Sequence, residues 1–264
     1  MLEPRTPNLS QTWRTGTAIR SGVRGVRCCA AAAGHPDEGA REREQDHQAR
    51  AHQGEPSGDE DQDQVAEVEK GLEQIKTAFP EEIHCNRQCC DCCFAVFDLS
   101  LIEAVFINYR FYKQLESKDQ EEILERANIA DRQGYRLKRK LHKLMAQEGQ
   151  GEEAVLRVLA QERIQCPLLN ESRLCDLYEF RPITCRVYGV PTAFHGKGHT
   201  CGLSGFLEGK SYPTIHVDNI NRRLLDLSNE MLQEIGVKNS PLEQRLVPLS
   251  TALLTDYDEE YFGL

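Results

Sequence analysis

The sequence is poor in several features that would assign it to a common class of proteins. Aromatic residues make up 7% of its 264 residues, with one tryptophan, and the net charge of −10 provides no overall attraction for nucleic acid or anionic membranes. No apolar run approaches the roughly 20 residues that a membrane-spanning helix needs. We therefore expect no membrane insertion and no general nucleic-acid binding.

Signals for export and for common catalytic sites are also missing. The opening Met-Leu-Glu-Pro-Arg does not form a basic region, and the alanines at 30–33 are too few for the apolar part of a signal peptide. We therefore expect a cytoplasmic protein, in which thiols stay reduced. The chain also contains no glycine-rich phosphate loop, no zinc-protease helix and no nucleophile elbow.

Residues 1–63 differ in composition from the rest of the chain. They are rich in alanine, glycine, arginine and acidic residues, and Trp13 is their one aromatic residue. Such a segment buries too little apolar surface to offset its ordering entropy, so we predict a disordered, low-complexity tail before a domain at 64–264. Because no methionine lies between the first residue and Met145, a start at Val65 is a second interpretation, under which the tail is not part of the native protein.

The remaining chain predicts a mainly α-helical domain. Apolar residues recur every three or four positions, and capping boxes at Ser100–Glu103 and Ser117–Gln120 mark two helix starts. A third start is expected at Asp218, and Gly236 should end that helix. The predicted helices lie at about 65–79, 100–115, 117–144, 152–164, 218–235 and 242–254. Residues 166–201 mix proline, glycine and cysteine irregularly, so we predict loops and short turns there.

Nine of the eleven cysteines fall into two groups separated by a long helical stretch. The groups contain Cys85, Cys89, Cys90, Cys92 and Cys93, then Cys166, Cys175, Cys185 and Cys201. Spacings of two or three residues aim thiolates at a common point, as in zinc sites and iron–sulfur clusters. The softness of sulfur restricts the metal to zinc, iron in a cluster, or Cu(I).

Disulfides, inert buried thiols and a dithiol redox centre each suit these cysteines less well than a metal does. Disulfides need an oxidising compartment and suit an odd cysteine count poorly, buried thiols rarely reach this density, and dithiol redox centres accompany a βαβ pattern that is absent here. Metal binding is therefore the favoured interpretation. Because adjacent cysteines point apart, we expect Cys92 and Cys93 to serve two different ions, or two iron atoms of one cluster.

Motifs around the cysteines resemble those of the YkgJ-type cysteine-cluster family, which is described as zinc- or iron-chelating. They are the first cysteine group, Cys-Pro-Leu at 166–168, Cys-x-x-Tyr at 175–178 and Arg-Pro-x-x-Cys-Arg at 181–186. The resemblance covers roughly residues 64–236 and implies eight metal ligands. These are Cys85, Cys89, Cys92, Cys93, Cys166, Cys175, Cys185 and Cys201. The spacing between Cys85 and Cys89 exceeds the family's usual one by a residue, and Cys90 is additional to the pattern.

Two functional hypotheses follow. The first is a cytosolic metal-binding protein that holds Zn²⁺ or iron, with an iron–sulfur cluster as one form of the iron. The alternative is an iron–sulfur enzyme with redox or methyl-transfer activity, because the resembled family includes a flagellin lysine methylase. The spacing Cys85-x3-Cys89-x2-Cys92 also matches the radical S-adenosylmethionine motif, but the alternating strands and helices of its barrel are absent. A saturated site would favour the first hypothesis, and a neighbouring pocket would favour the second.

Several other residues near the cysteines have expected roles. Arg181 and Arg186 should donate N–H groups to thiolates or to a carboxylate, while Tyr178 and Tyr188 should serve in packing. Three histidines are interpreted as solvated polar residues, with metal ligation as the alternative: His84, His195 and His199. The basic run at 136–143 should form the solvent-facing side of a helix.

Overall fold

The computed structural model describes residues 18–20, 59–146, 152–238 and 240–264. Their structure is mainly α-helical, as predicted. Apart from one short strand and the first turn of a helix, the predicted tail at 1–63 lies outside the described residues. None of the described helices is long and apolar enough to cross a membrane.

Helices of very different length form most of the described structure. They are α1 (Asp59–Ala78), α2 (Leu101–Gln114), α3 (Ser117–Met145), α4 (Glu152–Gln161), α5 (Ile183–Val187), α6 (Val217–Glu234), α7 (Leu249–Leu254) and α8 (Glu259–Phe262). Short 3-10 turns lie at Cys92–Phe94, Tyr178–Phe180 and Pro241–Gln244.

Short strands add two small sheets. The strands are β1 (Ala18–Arg20), β2 (Asp98–Leu99), β3 (Thr192–Phe194), β4 (Lys197–Thr200), β5 (Ile215–His216) and β6 (Val247–Pro248). One sheet has the order β1-β4-β3-β5, and β2 pairs antiparallel with β6 in the other. The predicted loop region at 166–201 therefore contains a hairpin, β3–β4. Its turn depends on positive φ angles at His195 (48°) and Gly196 (73°).

The predicted capping boxes have different outcomes. Ser100 caps α2 as predicted: its hydroxyl accepts from the Glu103 amide, and its own amide donates to the Glu103 carboxylate. The prediction of a second capping box at Ser117–Gln120 is wrong. Helix α3 begins at Ser117 itself, and the Ser117 side chain does not cap it. Gln120 instead donates to the Leu115 carbonyl over 2.7 Å, so it satisfies the end of α2 rather than the start of α3.

Two other predicted boundaries also change. Asp218 lies inside the first turn of α6 instead of capping it, and its carboxylate accepts from the His195 amide over 2.9 Å, which ties the hairpin to the helix. Gly236 ends α6 as predicted, with φ at 87°. The predicted helix at 242–254 is broken, because Pro248 pairs with β2 and lacks the N–H that a continuous helix requires.

Two apolar cores meet along α2. The first joins α1, α5 and α6 through residues such as Leu72, Val187 and Leu224, while the second joins α2, α3 and α7 around Phe111 and Leu253. Burial of each such side chain stabilises the fold by about 1.5–3 kcal/mol. The segments that carry the cysteines lie at the seam, so the fold brings residues from both cores to one place.

Candidate metal centre

The structure brings together all eight cysteines that the resemblance nominates, although they come from separate segments. They lie in the loop after α1 (Cys85, Cys89), the following 3-10 turn (Cys92, Cys93), the segment between α4 and α5 (Cys166, Cys175), α5 itself (Cys185) and the loop after β4 (Cys201). The nine cysteines in the described part of the chain are all free thiols. None of the nominated sulfurs is therefore bound in a disulfide.

Backbone hydrogen bonds join the two cysteine groups of the sequence. The amide of Cys166 donates to the carbonyl of Cys93 over 2.7 Å, and an isolated β-bridge pairs Leu169 with Cys175. The chain therefore reverses direction between Cys166 and Cys175, and this segment lies directly against the first cysteine group. These contacts place Cys166 and Cys175 beside Cys93.

Cys92 is the junction of the thiol network. Hydrogen bonds from the thiols of Cys185 and Cys93, followed by the charge of Arg181, lower the pKa of Cys92 from 9.0 to about 3. Donation to Cys92 and burial raise the pKa of Cys93 and Cys185 far above that of a free thiol. One thiolate therefore exists at neutral pH with two protonated thiols against it.

Cys166 and Cys175 complete this side of the network. Burial, and then the neighbouring Cys175, raise the pKa of Cys166 to about 12. Burial, with the charge of Cys92, raises the pKa of Cys175 to about 11. Both thiols also act on Cys93 and Cys185, so these four residues form what we call the core set. Cys166 and Cys175 pack against the second apolar core.

A second group, the loop set, contains Cys85, Cys89 and Cys201. A hydrogen bond from the Cys85 thiol lowers the pKa of Cys89 to about 6, while that bond and burial raise the pKa of Cys85. Burial raises the pKa of Cys201, and its sulfur lies 3.8 Å from Asp91 Oδ2. Cys92 acts electrostatically on Cys85 and Cys89, which connects the loop set to the core set.

The sulfurs lie near one another without the geometry of a coordination shell. Within the described residues, no group of three or more histidine, cysteine, aspartate or glutamate side chains has the geometry of a metal site. Electrostatic coupling nevertheless links the thiols, because Cys92 affects the pKa of thiols in both sets. Metal binding displaces thiol protons, and an all-thiol donor set fits zinc or iron.

The two expected arginines have different roles. Arg181 stacks over the Tyr178 ring with its guanidinium carbon 3.7 Å from the ring centre. Its charge favours the ionised form of three thiols, which are Cys85, Cys92 and Cys175. Arg186 instead binds the Glu69 carboxylate over 2.5 Å and the carbonyl of Arg181 over 2.9 Å. Arg181 therefore acts on the thiols, whereas Arg186 fixes the turn that carries Arg181.

A polar cluster beside the loop set was not predicted from the sequence. Arg163 Nη2 donates to Asp91 Oδ1 over 2.6 Å, and Tyr188 hydrogen bonds to the same carboxylate. Tyr188 therefore has a polar partner as well as the expected packing role. The one available signal was the position of Asp91 inside the cysteine run, where an acidic residue would otherwise repel thiolates.

Cys90 lies beside the network but has a partner of another kind. It is 5% exposed, packs in a small apolar cluster with Cys93 and Leu169, and its sulfur accepts a 2.9 Å contact from Arg173 Nη2. Arg173 adopts a left-handed φ of 62°, which turns its side chain back towards this sulfur. The contact gives Cys90, the cysteine additional to the family pattern, a partner other than the eight nominated thiols.

Gly189 sets the position of Cys85. A Cβ atom built on Gly189 would lie 2.5 Å from the Cβ of Cys85 and 3.1 Å from its sulfur. No side chain fits in that space, so glycine is required for the loop set to form. No sequence motif indicates this contact, because it joins residues that are far apart in the chain.

The three histidines lie at the edges of the site. His84 Nδ1 is 2.6 Å from the Leu203 carbonyl, which anchors the loop before Cys85 to the loop after Cys201. His195 and His199 belong to the β3–β4 hairpin, where burial lowers the pKa of His199.

One comparison with known proteins concerns the cysteine region. Residues 84–202 match the model of the CxxCxxCC family, whose description is "Putative zinc- or iron-chelating domain". The matched segment contains every nominated cysteine, and it confirms the resemblance to the cysteine-cluster family. No curated protein and no solved structure gives a significant match.

Proposed function

We propose that this chain, whose residues 84–202 match a cysteine-cluster domain, binds zinc or iron through eight thiolates. The strongest support is that eight cysteines from separate segments lie close enough to affect one another, with the pKa of Cys89 and Cys92 lowered by neighbouring thiols. Binding a cation would replace thiol protons and relieve the charge of the thiolates.

The network suggests a division into two sites of four sulfurs. The core set would supply Cys93, Cys166, Cys175 and Cys185 to one site. The loop set, completed by Cys92, would supply Cys85, Cys89, Cys92 and Cys201 to the other. The charge of Cys92 acts on thiols of both sets. Cys92 is assigned to the loop set because adjacent cysteines rarely bind the same ion and Cys93 belongs to the core set. Four thiolates saturate a tetrahedral ion such as zinc.

A cytosolic location forms part of this proposal. The nine described cysteines are free thiols, which is the state that a reducing compartment maintains. Disulfides would remove the same sulfurs from metal binding.

One observation favours the alternative, an iron–sulfur enzyme with redox or methyl-transfer activity. A cavity of about 260 Å³ lies beside Arg181, whose charge also acts on Cys92. A closed structural zinc site has no use for such a space, whereas an enzyme needs room for a substrate next to its metal.

The deciding experiment is anaerobic purification of the full chain, followed by metal analysis, sulfide analysis and a visible spectrum on the same sample. Colourless protein with about two zinc ions per chain is expected for the two-site proposal. Brown protein with iron and acid-labile sulfide would support metal binding and favour the enzymatic alternative. Folded protein without metal, which does not take up zinc or iron on addition, would overturn the proposal.

A further inference from the structure

The cavity beside the metal centre combines apolar walls with two cations. It has a volume of about 260 Å³ and lies between α1, α2 and the turn that begins α5. Phe106, Phe180 and Pro182 contribute apolar surface, and Arg110 and Arg181 contribute positive charge. The volume is below the roughly 300–1,000 Å³ that is typical for drug-sized ligands, so the space suits a smaller molecule.

Both arginines present buried donors that lack an acceptor. The guanidinium of Arg110 lies 4.7 Å from the centre of the Phe180 ring and 5.1 Å from that of Phe106, and Arg181 stacks on Tyr178. The rings fix both cations in place. The Nε atoms of Arg110 and Arg181 are nevertheless buried without a hydrogen-bond partner in the described part of the chain. Buried donors are nearly always paired, so both guanidinium groups lack an acceptor at Nε among the described residues.

The third arginine of the wall is already neutralised. Arg186 binds Glu69, and two more of its N–H groups donate to the carbonyls of Glu179 and Arg181. Between the described residues there is no ion pair to Arg110 or Arg181. The positive charge of the cavity therefore comes from these two side chains.

The acidic residues of the wall do not supply the missing acceptor. Both carboxylate oxygens of Glu103 are used, one by the Ile183 amide over 3.1 Å and the other by Ser100 over 3.0 Å. Glu179 is 65% exposed and binds Arg87. The cavity thus has an excess of positive charge that the described part of the chain does not balance.

We propose that this cavity binds a small organic carboxylate with an apolar body. The carboxylate would accept from Arg110 and Arg181, because the planar guanidinium fork matches a carboxylate in geometry and charge. The apolar body would lie against Phe106 and Phe180. Inorganic phosphate would satisfy the cations but leave the apolar walls uncovered, so the carboxylate is the better match. The proposal does not depend on the metal, because none of these contacts involves a thiol.

The test is a titration of the full chain, as purified, followed by NMR of labelled isoleucine methyl groups. The probes are butyrate, benzoate and hydrocinnamate, each with its neutral amide, and inorganic phosphate. Ile107 and Ile183 line the cavity and should shift on addition of at least one carboxylate, whereas Ile123 in the second core should not. The matching amide should bind at least about tenfold more weakly, since it loses the charge-assisted hydrogen bonds.

Two variants check the assignment. Arg110→Met should weaken binding of the carboxylate about tenfold or more, and Arg132→Met, on the exposed side of α3, should leave it unchanged. If Arg110→Met does not fold, the comparison of acid and amide on the unchanged protein still decides the question. Absence of shifts at Ile107 and Ile183 with all three acids would overturn the proposal. Equal binding of acids and amides, or tighter binding of phosphate, would also overturn it. None of these results would alter the metal content, so the failure of this site and of the metal site are distinguishable.

Discussion

Single thiols in the centre differ sharply in acidity, and Cys89 is the accessible one with a lowered pKa. Its value of about 6, against 9.0 for an ordinary thiol, arises from the hydrogen bond that the Cys85 thiol donates. The folded protein therefore stabilises the thiolate at every pH above about 6. At neutral pH Cys89 should be mostly ionised, whereas Cys166, with a pKa of about 12, should not.

Alkylation of the metal-free protein should reflect this difference. We expect iodoacetamide to modify Cys89 first, at a rate that rises with pH up to about 6 and then levels off. Mass spectrometry of peptides from samples treated between pH 5 and 9 measures the alkylation rate of each cysteine. Cys85→Ala removes the donor and should move the plateau towards pH 9, while Cys90→Ala should not move it. A rate at Cys89 that still rises tenfold per unit between pH 7 and 8 would contradict the assignment.

Alanine substitutions at two glycines compare a crowded position with an open one. Gly189→Ala places a Cβ 2.5 Å from that of Cys85 and should displace the loop set, so we expect loss of about half of the bound metal. Gly134→Ala meets no atom within 4 Å inside α3 and should raise the free energy of unfolding by about 0.5–1 kcal/mol. Metal analysis and urea unfolding of both variants measure the metal content and the free energy of unfolding. Full metal content in Gly189→Ala would show that Cys85 is not a ligand.

The identities of the nominated cysteines were readable from their motifs, but their surroundings were not. A run such as Cys-Asn-Arg-Gln-Cys is local in the sequence, and so is the Arg-Pro motif that delivers Arg181. The roles of Asp91, Tyr188 and Gly189 depend on contacts between distant segments. No local pattern encodes such contacts, because any residue that is compatible with the final packing satisfies them.

Helix boundaries were predictable where they depend only on residues of the helix itself. The periodic apolar pattern predicted α1, α3 and α6, and Gly134 does not interrupt α3. The boundaries that failed depend on a neighbour: Gln120 binds the end of α2, and Asp218 binds the β3–β4 hairpin. The basic run on α3 is exposed as predicted, with Lys140 paired to Glu162 over 2.6 Å.

Two serines that look alike in sequence should differ in their contribution to stability. Ser100→Ala removes a buried N-cap and should lower the free energy of unfolding by about 1–2 kcal/mol. Ser117→Ala affects an exposed side chain that caps nothing, so the change should stay within about 0.5 kcal/mol. Urea unfolding of the two variants under identical metal conditions measures both. Equal losses would mean that α3 is capped by Ser117 after all.

At the scale of the whole molecule, the thiol centre lies between two apolar cores and links them. Ile183 and Val187 anchor α5, with Cys185, in the first core, while Cys166 and Cys175 pack against the second. Metal–thiolate bonds across this seam would add directly to the free energy of folding. The mainly α-helical class was predictable from the periodicity of apolar residues. The position of the cysteines between two cores was not predictable, because it requires the packing of α1, α5 and α6 together.

Removal of metal should therefore destabilise the entire domain rather than one loop. We expect a chelator to lower the melting temperature by about 10 °C or more, because two sites of several kcal/mol each would be lost. Circular dichroism with and without chelator, followed by addition of zinc, measures the change and its reversal. An unchanged melting temperature after verified removal of the metal would show that the cores hold without it.

The most direct test of the central claim compares the metal content of three full-length proteins: the unchanged chain, Cys185→Ser and Cys90→Ser. Cys185 lies in the core set, whereas Cys90 packs beside Cys93 with its sulfur in contact with Arg173. Purified anaerobically and analysed together, the unchanged chain and Cys90→Ser should carry the same amount of zinc or iron. Cys185→Ser should lose at least about half, since one tetrahedral site loses a ligand. Equal metal in all three proteins, or a loss in Cys90→Ser alone, would contradict the assignment of the eight cysteines.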